Sequence, residues 1–314
     1  MTTAFVLSGG GSLGAVQVGM LKALAERDVH PDLLIGTSAG ALNAAYIAGH
    51  GTDVCALEDL SMIWRGLRRH DVFPLDPLRH LLALVGQSPA VCRDTGLRRL
   101  VERHVPFRNL EDATIPLHIV ATDLLSGREV LLSDGDAVTA VLASATIPGI
   151  LPAVSRNGLT LVDGGVANNA ALSQAVALGA HEVYVLPAGF ACALQHPPRT
   201  ALATAVQALS LLIEQRLIID VADFDGDAAL RVLPPLCPLE VSSADFGHAA
   251  QLIARAHRAT AAWLDSGGTS LPAPERFLSL HHHRRATLAG DDHTCGDDSA
   301  DVSSPVRAVA ADHA

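Results

Sequence analysis

Short apolar runs bounded by glycine alternate with longer stretches of helical periodicity along the first part of the 314-residue chain. Ala4 to Leu7 reads as a buried strand, Ala15 to Glu26 as a helix and Leu33 to Ile35 as a second strand. The alanine-rich stretch Ala39 to Ala48 suits a helix packed closely on a sheet. Strand, crossover helix and parallel strand within about 30 residues make the right-handed unit from which α/β sheets are assembled. From Val54 to Leu110 the pattern is mostly helical, with breaks at Pro74, Pro77 and Pro89. Further strands are expected at Leu117 to Ala121 and Glu129 to Leu132, then a helix at Asp136 to Ser144. Beyond Ile147, proline and glycine punctuate a loop leading to a strand at Leu159 to Val162, a helix at Ser173 to Leu178 and a strand at Glu182 to Leu186. Leu230 to Leu233 is a candidate last strand, and Phe246 to Leu264 a final helix.

Periodicity stops beyond Gly267, where Pro, Ser, Asp and His take over. The pattern therefore predicts one domain over residues 1–269 and a polar, mostly disordered tail over 270–314. The most apolar helical stretch, Ala205 to Ala222, is interrupted by Glu214, Gln215 and Arg216, so it reads as a core or surface helix and not as a membrane span. With 49% hydrophobic and 18% charged residues the chain is globular. A net charge of −11 and the lack of a Lys/Arg block argue against a nucleic-acid partner.

Five cysteines, Cys55, Cys92, Cys192, Cys237 and Cys295, are odd in number and contain no C-x-x-C pair, which argues against a disulfide framework or a structural zinc site. No basic n-region precedes the first strand, so no signal peptide is expected and a cytoplasmic location follows.

Three short motifs carry candidate chemistry. Ser8 to Gly14, SGGGSLG, follows a strand and precedes a helix, as a loop does that offers backbone N–H groups to an anion. Gly9, Gly11 and Gly14 satisfy the dinucleotide pattern G-x-G-x-x-G. Yet no acidic residue ends the second strand to hold a ribose, and no Lys precedes a Ser or Thr as a P-loop requires. The alternative anion is a charge that develops only during a reaction.

GTSAG, Gly36 to Gly40, has the form G-x-S-x-G at a strand-to-helix junction. There the flanking glycines let a strained turn present Ser38 at a helix N-terminus; an ordinary glycine-rich helix start with a serine cap would read the same. An α/β-hydrolase triad is a poor fit, because Ser38 follows only two strands and no histidine occupies a compelling strand end; His281 to His283 fall in the tail. Asp163, between the strand LTLV and Gly164-Gly165, is the better candidate base, provided the strands are parallel and share one edge; a plain D-G turn is its other reading.

Together these residues resemble the patatin-like phospholipases, Ser-Asp dyad acyl hydrolases. GGGSLG is similar to the family's oxyanion loop, GTSAG to its nucleophile elbow and DGG to its dyad aspartate, while ATDLLSGREVLLSDGD, AVLASATIPGILPAV and VDGGVANNAAL look like its intermediate blocks. The resemblance covers about Ala4 to Leu186. It implies a three-layer α/β/α sandwich with a mainly parallel central sheet and a lipid or other acyl ester as substrate, with no metal and no cofactor. It further implies Ser38 as nucleophile, Asp163 as general base and an oxyanion hole from Gly10, Gly11 and Ser12, with Gly36, Gly40, Gly164 and Gly165 shaping the turns. A catalytically weak lipid-binding protein on the same fold is the alternative function. Leu13 stands where the family usually carries a basic residue. Asn168 and Asn169 are assigned to supporting the Asp163 turn, and the proline-broken segment from Phe73 to Pro89 is a candidate lid. The likeness also suggests transient contact with a membrane surface.

Overall fold

The computed structural model describes residues 1–74, 76–270, 278–281 and 283. The opening unit is β1 (Thr3–Leu7), α1 (Gly14–Ala25), β2 (Leu33–Thr37) and α2 (Ala39–His50). A helical insert follows: α3 (Val54–Gly66), α4 (Arg69–Val72), α5 (Pro77–Leu84) and α6 (Thr95–His104). The chain then runs through β3 (Leu117–Asp123), β4 (Glu129–Leu132), α7 (Ala137–Ala145), β5 (Val154–Arg156), β6 (Leu159–Asp163) and α8 (Leu172–Ala177). It ends with β7 (Glu182–Leu186), α9 (Ala201–Ala222), β8 (Ala229–Val232) and α10 (Ala249–Asp265).

One sheet in the order β5-β6-β3-β2-β1-β7-β8, with β4 also on β3, divides two helical layers. Alternate residues of β1 show why both faces are covered: Phe5 and Leu7 enter one core with α1, α2 and α7, whereas Ala4 and Val6 enter the other with α8 and Leu217 and Val221 of α9. This is the three-layer sandwich that the resemblance implied.

The central strands β3, β2, β1, β7 and β8 are parallel, but β4 and β6 run antiparallel to β3. That corrects the premise that Asp163 leaves a strand parallel to β2. The register explains how the residues nevertheless meet. The β2–β3 pairing ends at Thr37↔Val120, and the β3–β6 pairing starts on the next residue, at Ala121↔Asp163. The C-terminal ends of β2 and β6 thus arrive at consecutive residues of β3.

α9 begins at Ala201, where the Thr200 hydroxyl accepts the Ala203 N–H, and no helix among the described residues is long and apolar enough to cross a membrane. Of the polar tail, Leu278 is buried against the α8–α9 core and the His283 N–H donates to the Cys192 carbonyl at 3.0 Å; residues 271–277, 282 and 284–314 lie outside the described residues. Cys55, Cys92 and Cys192 are free thiols, and Cys237 is disulfide-bonded, which the cysteine spacing did not suggest.

Candidate active site

Ser38 sits between β2 and α2 with φ 53° and ψ −119°, a conformation rare for a residue with a side chain. Holding it there costs about 1 to 3 kcal/mol, which close packing must offset. Gly40 permits that packing, since a Cβ there would lie 2.1 Å from the Leu7 carbonyl oxygen. Gly36 abuts α2 in the same way, with a built Cβ 2.6 Å from the Ala41 Cα. The Ser38 N–H donates to the Ser144 hydroxyl of α7 at 2.8 Å. Its side chain, 8% exposed as a residue, donates from Oγ to Asp163 Oδ2 at 2.6 Å.

Asp163 is held on every side. Oδ1 accepts the Gly165 N–H at 2.9 Å, its own N–H donates to the Thr146 carbonyl at 2.9 Å, and the Thr122 hydroxyl donates to its carbonyl at 2.9 Å. A turn at Gly164–Val166 does follow, so the D-G turn and the serine contact are both present in one residue. Gly164 lets this turn lie on β3, where a Cβ would come within 2.2 Å of the Val120 carbonyl oxygen. Burial pushes the Asp163 carboxyl up to about 6, against the opposing effects of the Ser38 hydroxyl and the Gly165 N–H.

The glycine loop lies over this pair. The Gly9 N–H donates to Asn169 Oδ1 at 2.7 Å, and the Ser12 N–H donates to the Ser243 carbonyl at 2.8 Å. Ser12 therefore has no amide to offer a ligand, which removes it from the expected set of three donors. The N–H groups of Gly10 and Gly11 have no acceptor among the described residues. Both positions are sterically closed to larger residues: a Cβ on Gly10 would meet the Ala188 Cβ at 2.3 Å, and Gly11 adopts φ +60° beside the Ser243 carbonyl. From beneath, Gln17 Nε2 donates to the carbonyls of Ser8 and Leu186 at 2.8 and 2.9 Å, fixing the loop to β7.

Two supports were not assigned from the sequence. Ser144 anchors the elbow through its hydroxyl. Asn169 does not brace the Asp163 turn; it reaches across to the glycine loop, while Asn168 Oδ1 accepts the N–H groups of Ala170 and Ala171. Leu13 is 1% exposed and part of the core, so this position holds an apolar packing residue and no charge.

A cavity of about 360 Å³ opens above the pair, with walls that include Leu13, Phe73, Ile150, Phe190 and Ile213. Phe73 and His80 of the predicted lid segment line it, so that segment does stand at the cavity wall. Glu214 also lines it; it is buried without a hydrogen-bond partner among the described residues, and burial pushes its carboxyl up to about 7. Among the described residues no histidine bonds to Ser38 or Asp163.

Comparisons with known proteins place this chain among relatives of one family. The chain is 30% identical over 190 residues to patatin-like phospholipase domain-containing protein 7 of Mus musculus, covering 59% of this chain and 13% of that protein. It is 28% identical over 198 residues to lysophospholipase NTE1 of Mycosarcoma maydis, covering 60% of this chain and 10% of that one. The chain thus matches only a small part of the length of these relatives. Among solved structures, VipD from Legionella pneumophila aligns with a TM-score of 0.42 and 14% identity, covering 84% of this chain and 67% of that one. The family model described as Patatin-like phospholipase matches residues 5–176, more than half of the 314 residues, and the chain belongs to that family.

Proposed function

We propose that this protein is a serine acyl hydrolase that cleaves carboxylic esters of lipids, with Ser38 as nucleophile and Asp163 as its general base. The observation that carries the reading is the 2.6 Å hydrogen bond from Ser38 Oγ to a buried carboxylate at the foot of an apolar cavity. An exposed aspartate, with a pKa near 3.9, would be too weak a base; one raised to about 6 is closer to the range in which a carboxylate can accept the proton as the bond to carbon forms.

In the proposed sequence Ser38 Oγ attacks the ester carbonyl while Asp163 Oδ2 takes the hydroxyl proton. The developing oxyanion meets the unengaged N–H groups of Gly10 and Gly11; one such donor is worth roughly 2.7 to 4 kcal/mol in serine hydrolases. Collapse expels the alcohol, which leaves with the proton held on Asp163. Water, deprotonated by the same carboxylate, then attacks the acyl-serine and restores Ser38. The bond from Asp163 Oδ1 to the Gly165 N–H keeps Oδ2 aimed at the serine throughout.

Exposed Leu78, Leu81 and Leu212 lie on α5 and α9, the helices that also furnish cavity-lining His80 and Ile213. They support peripheral contact with a lipid surface, from which an acyl chain would enter. The test pairs fluorophosphonate labelling with turnover of p-nitrophenyl acyl esters of graded chain length. Wild type should label and turn over, and Ser38→Ala should do neither. Turnover retained in Ser38→Ala ends the proposal. An unlabelled wild type that still binds vesicles points instead to a lipid-binding protein without catalysis.

A further inference from the structure

Away from the Ser38–Asp163 pair, four side chains from three distant segments converge. Cys192 lies in the loop after β7, Cys237 in the loop after β8, and His281 and His283 beyond α10. Their donor atoms all lie within 4.8 Å of one another, with Cys237 Sγ 3.1 Å from His281 Nε2 and 2.9 Å from His283 Nε2. A tetrahedral zinc with two sulfur and two nitrogen ligands separates its donors by about 3.4 to 3.8 Å, so shifts of under about 1 Å would fit this set around an ion.

We propose that Cys192, Cys237, His281 and His283 form a structural site for a zinc-type divalent cation, which clasps the segment beyond α10 to the wall of the active-site cavity.

Second contacts orient the donors as metal ligands are usually oriented. His281 Nδ1 lies 2.7 Å from the Ser279 carbonyl, which can only accept, so Nδ1 carries the hydrogen and in the neutral ring Nε2 turns its lone pair toward the sulfur. The Leu239 N–H donates to Cys192 Sγ at 3.3 Å, and the His283 N–H fixes its segment to the Cys192 carbonyl at 3.0 Å. A small cavity of about 40 Å³ adjoins the cluster, and its lining includes buried Glu214 beside Cys192, Cys237 and His281. Two soft and two imidazole ligands select zinc among common divalent ions, and four protein ligands leave no open position for catalysis. The consequence for the neighbouring site is mechanical: Phe190 lines the active-site cavity and meets the His281 ring edge-on at 5.8 Å.

Cys237 is disulfide-bonded, so the metal form is the reduced form. A phosphine and one water convert the S–S bond to two thiols, the phosphine leaving as its oxide. Each ligand thiol then releases its proton to solvent as the metal binds.

The test reduces the full chain with a water-soluble phosphine, loads Zn²⁺, removes excess on a desalting column and measures zinc per chain, with Co²⁺ titrated in parallel. Wild type should retain about one zinc and give the intense visible bands of tetrahedral cobalt with thiolate-to-cobalt charge transfer. Cys237→Ser and His281→Ala should lose the zinc, Cys55→Ser should keep it, and unreduced wild type should hold none. Circular dichroism checks that the variants are folded, and the partly exposed His281 makes its variant the safer one. The proposal is overturned if reduced wild type retains no zinc, if the two ligand variants retain as much as wild type, if the unreduced protein binds equally, or if bound cobalt is octahedral.

Discussion

Replacing Asp163 by Asn should inactivate the protein and at the same time make it more stable. Both effects have one origin. Burial raises the carboxyl from 3.8 to about 6, so the folded state binds its proton more tightly than the unfolded chain does. Stability from this group is full below pH 3.8, declines as the pH rises through that interval, and is lost above about 6. At neutral pH the ionised carboxylate therefore costs the fold on the order of 3 kcal/mol, since each pH unit between the folded and unfolded values corresponds to about 1.36 kcal/mol. Asn is nearly isosteric and never ionises. Its Oδ1 can still accept the Gly165 N–H, and its Nδ2 can donate to Ser38 Oγ, with the hydroxyl turned the other way. The fold keeps both bonds and is relieved of the charge, whereas the serine loses its base. General-base catalysis contributes about 10²- to 10⁴-fold, or roughly 3 to 5 kcal/mol of barrier. The assay is kcat/KM on a p-nitrophenyl ester beside thermal unfolding at several pH values. A Tm gain of several degrees at about pH 8 should shrink toward zero near pH 4, beside a loss of activity of at least about 100-fold. Activity within tenfold of wild type, or a Tm difference that does not grow with pH, would rule out this account of Asp163.

Wild-type kcat/KM should rise with pH through about 6 and level off above it, because only the carboxylate can accept the serine proton; a flat profile between pH 4 and 8 would contradict the assignment. Asn169→Ala leaves the buried Gly9 N–H without its acceptor, which should cost about 1 to 3 kcal/mol of stability and lower kcat more than it raises KM, as read by denaturant melts and steady-state kinetics. Ser144→Ala removes the acceptor for the Ser38 N–H at the strained elbow and should destabilise by a similar amount, with fluorophosphonate labelling slowed and not abolished.

Much of this architecture is legible in the residues because glycine punctuates it. β1, α1, β2 and α2 lie within two residues of their expected positions, since apolar runs end abruptly at Gly9 and Gly36. β5 was not legible: three residues, Val154–Arg156, none of them buried, carry no usable alternation. The direction of β6 was also hidden, because the apolar run LTLV reads the same whichever way its neighbour points. Ser38 and Asp163 could be singled out from their glycine neighbours, but the availability of each loop N–H could not. The acceptor that engages Ser12 is Ser243, whose identity as a partner depends on a turn formed more than two hundred residues later. Ser144 was invisible for a different reason: a serine in an alanine-rich helix gives no sign of which backbone amide its hydroxyl will face. The Cys and His cluster escaped because its ligands come from three loops, with no local spacing for a zinc pattern to match.

The meeting of two strand ends on consecutive residues of β3 also bears on how the chain is made. A nascent polypeptide that has emerged only as far as α7 has the residues of the elbow, the glycine loop and their neighbour strand, but lacks both the acid that β6 delivers and the Asn169, Leu186 and Ser243 contacts that hold the loop. On the proposed mechanism its serine would be an ordinary alcohol, and reactivity would appear only once the segment bearing Asp163 has docked against Ala121.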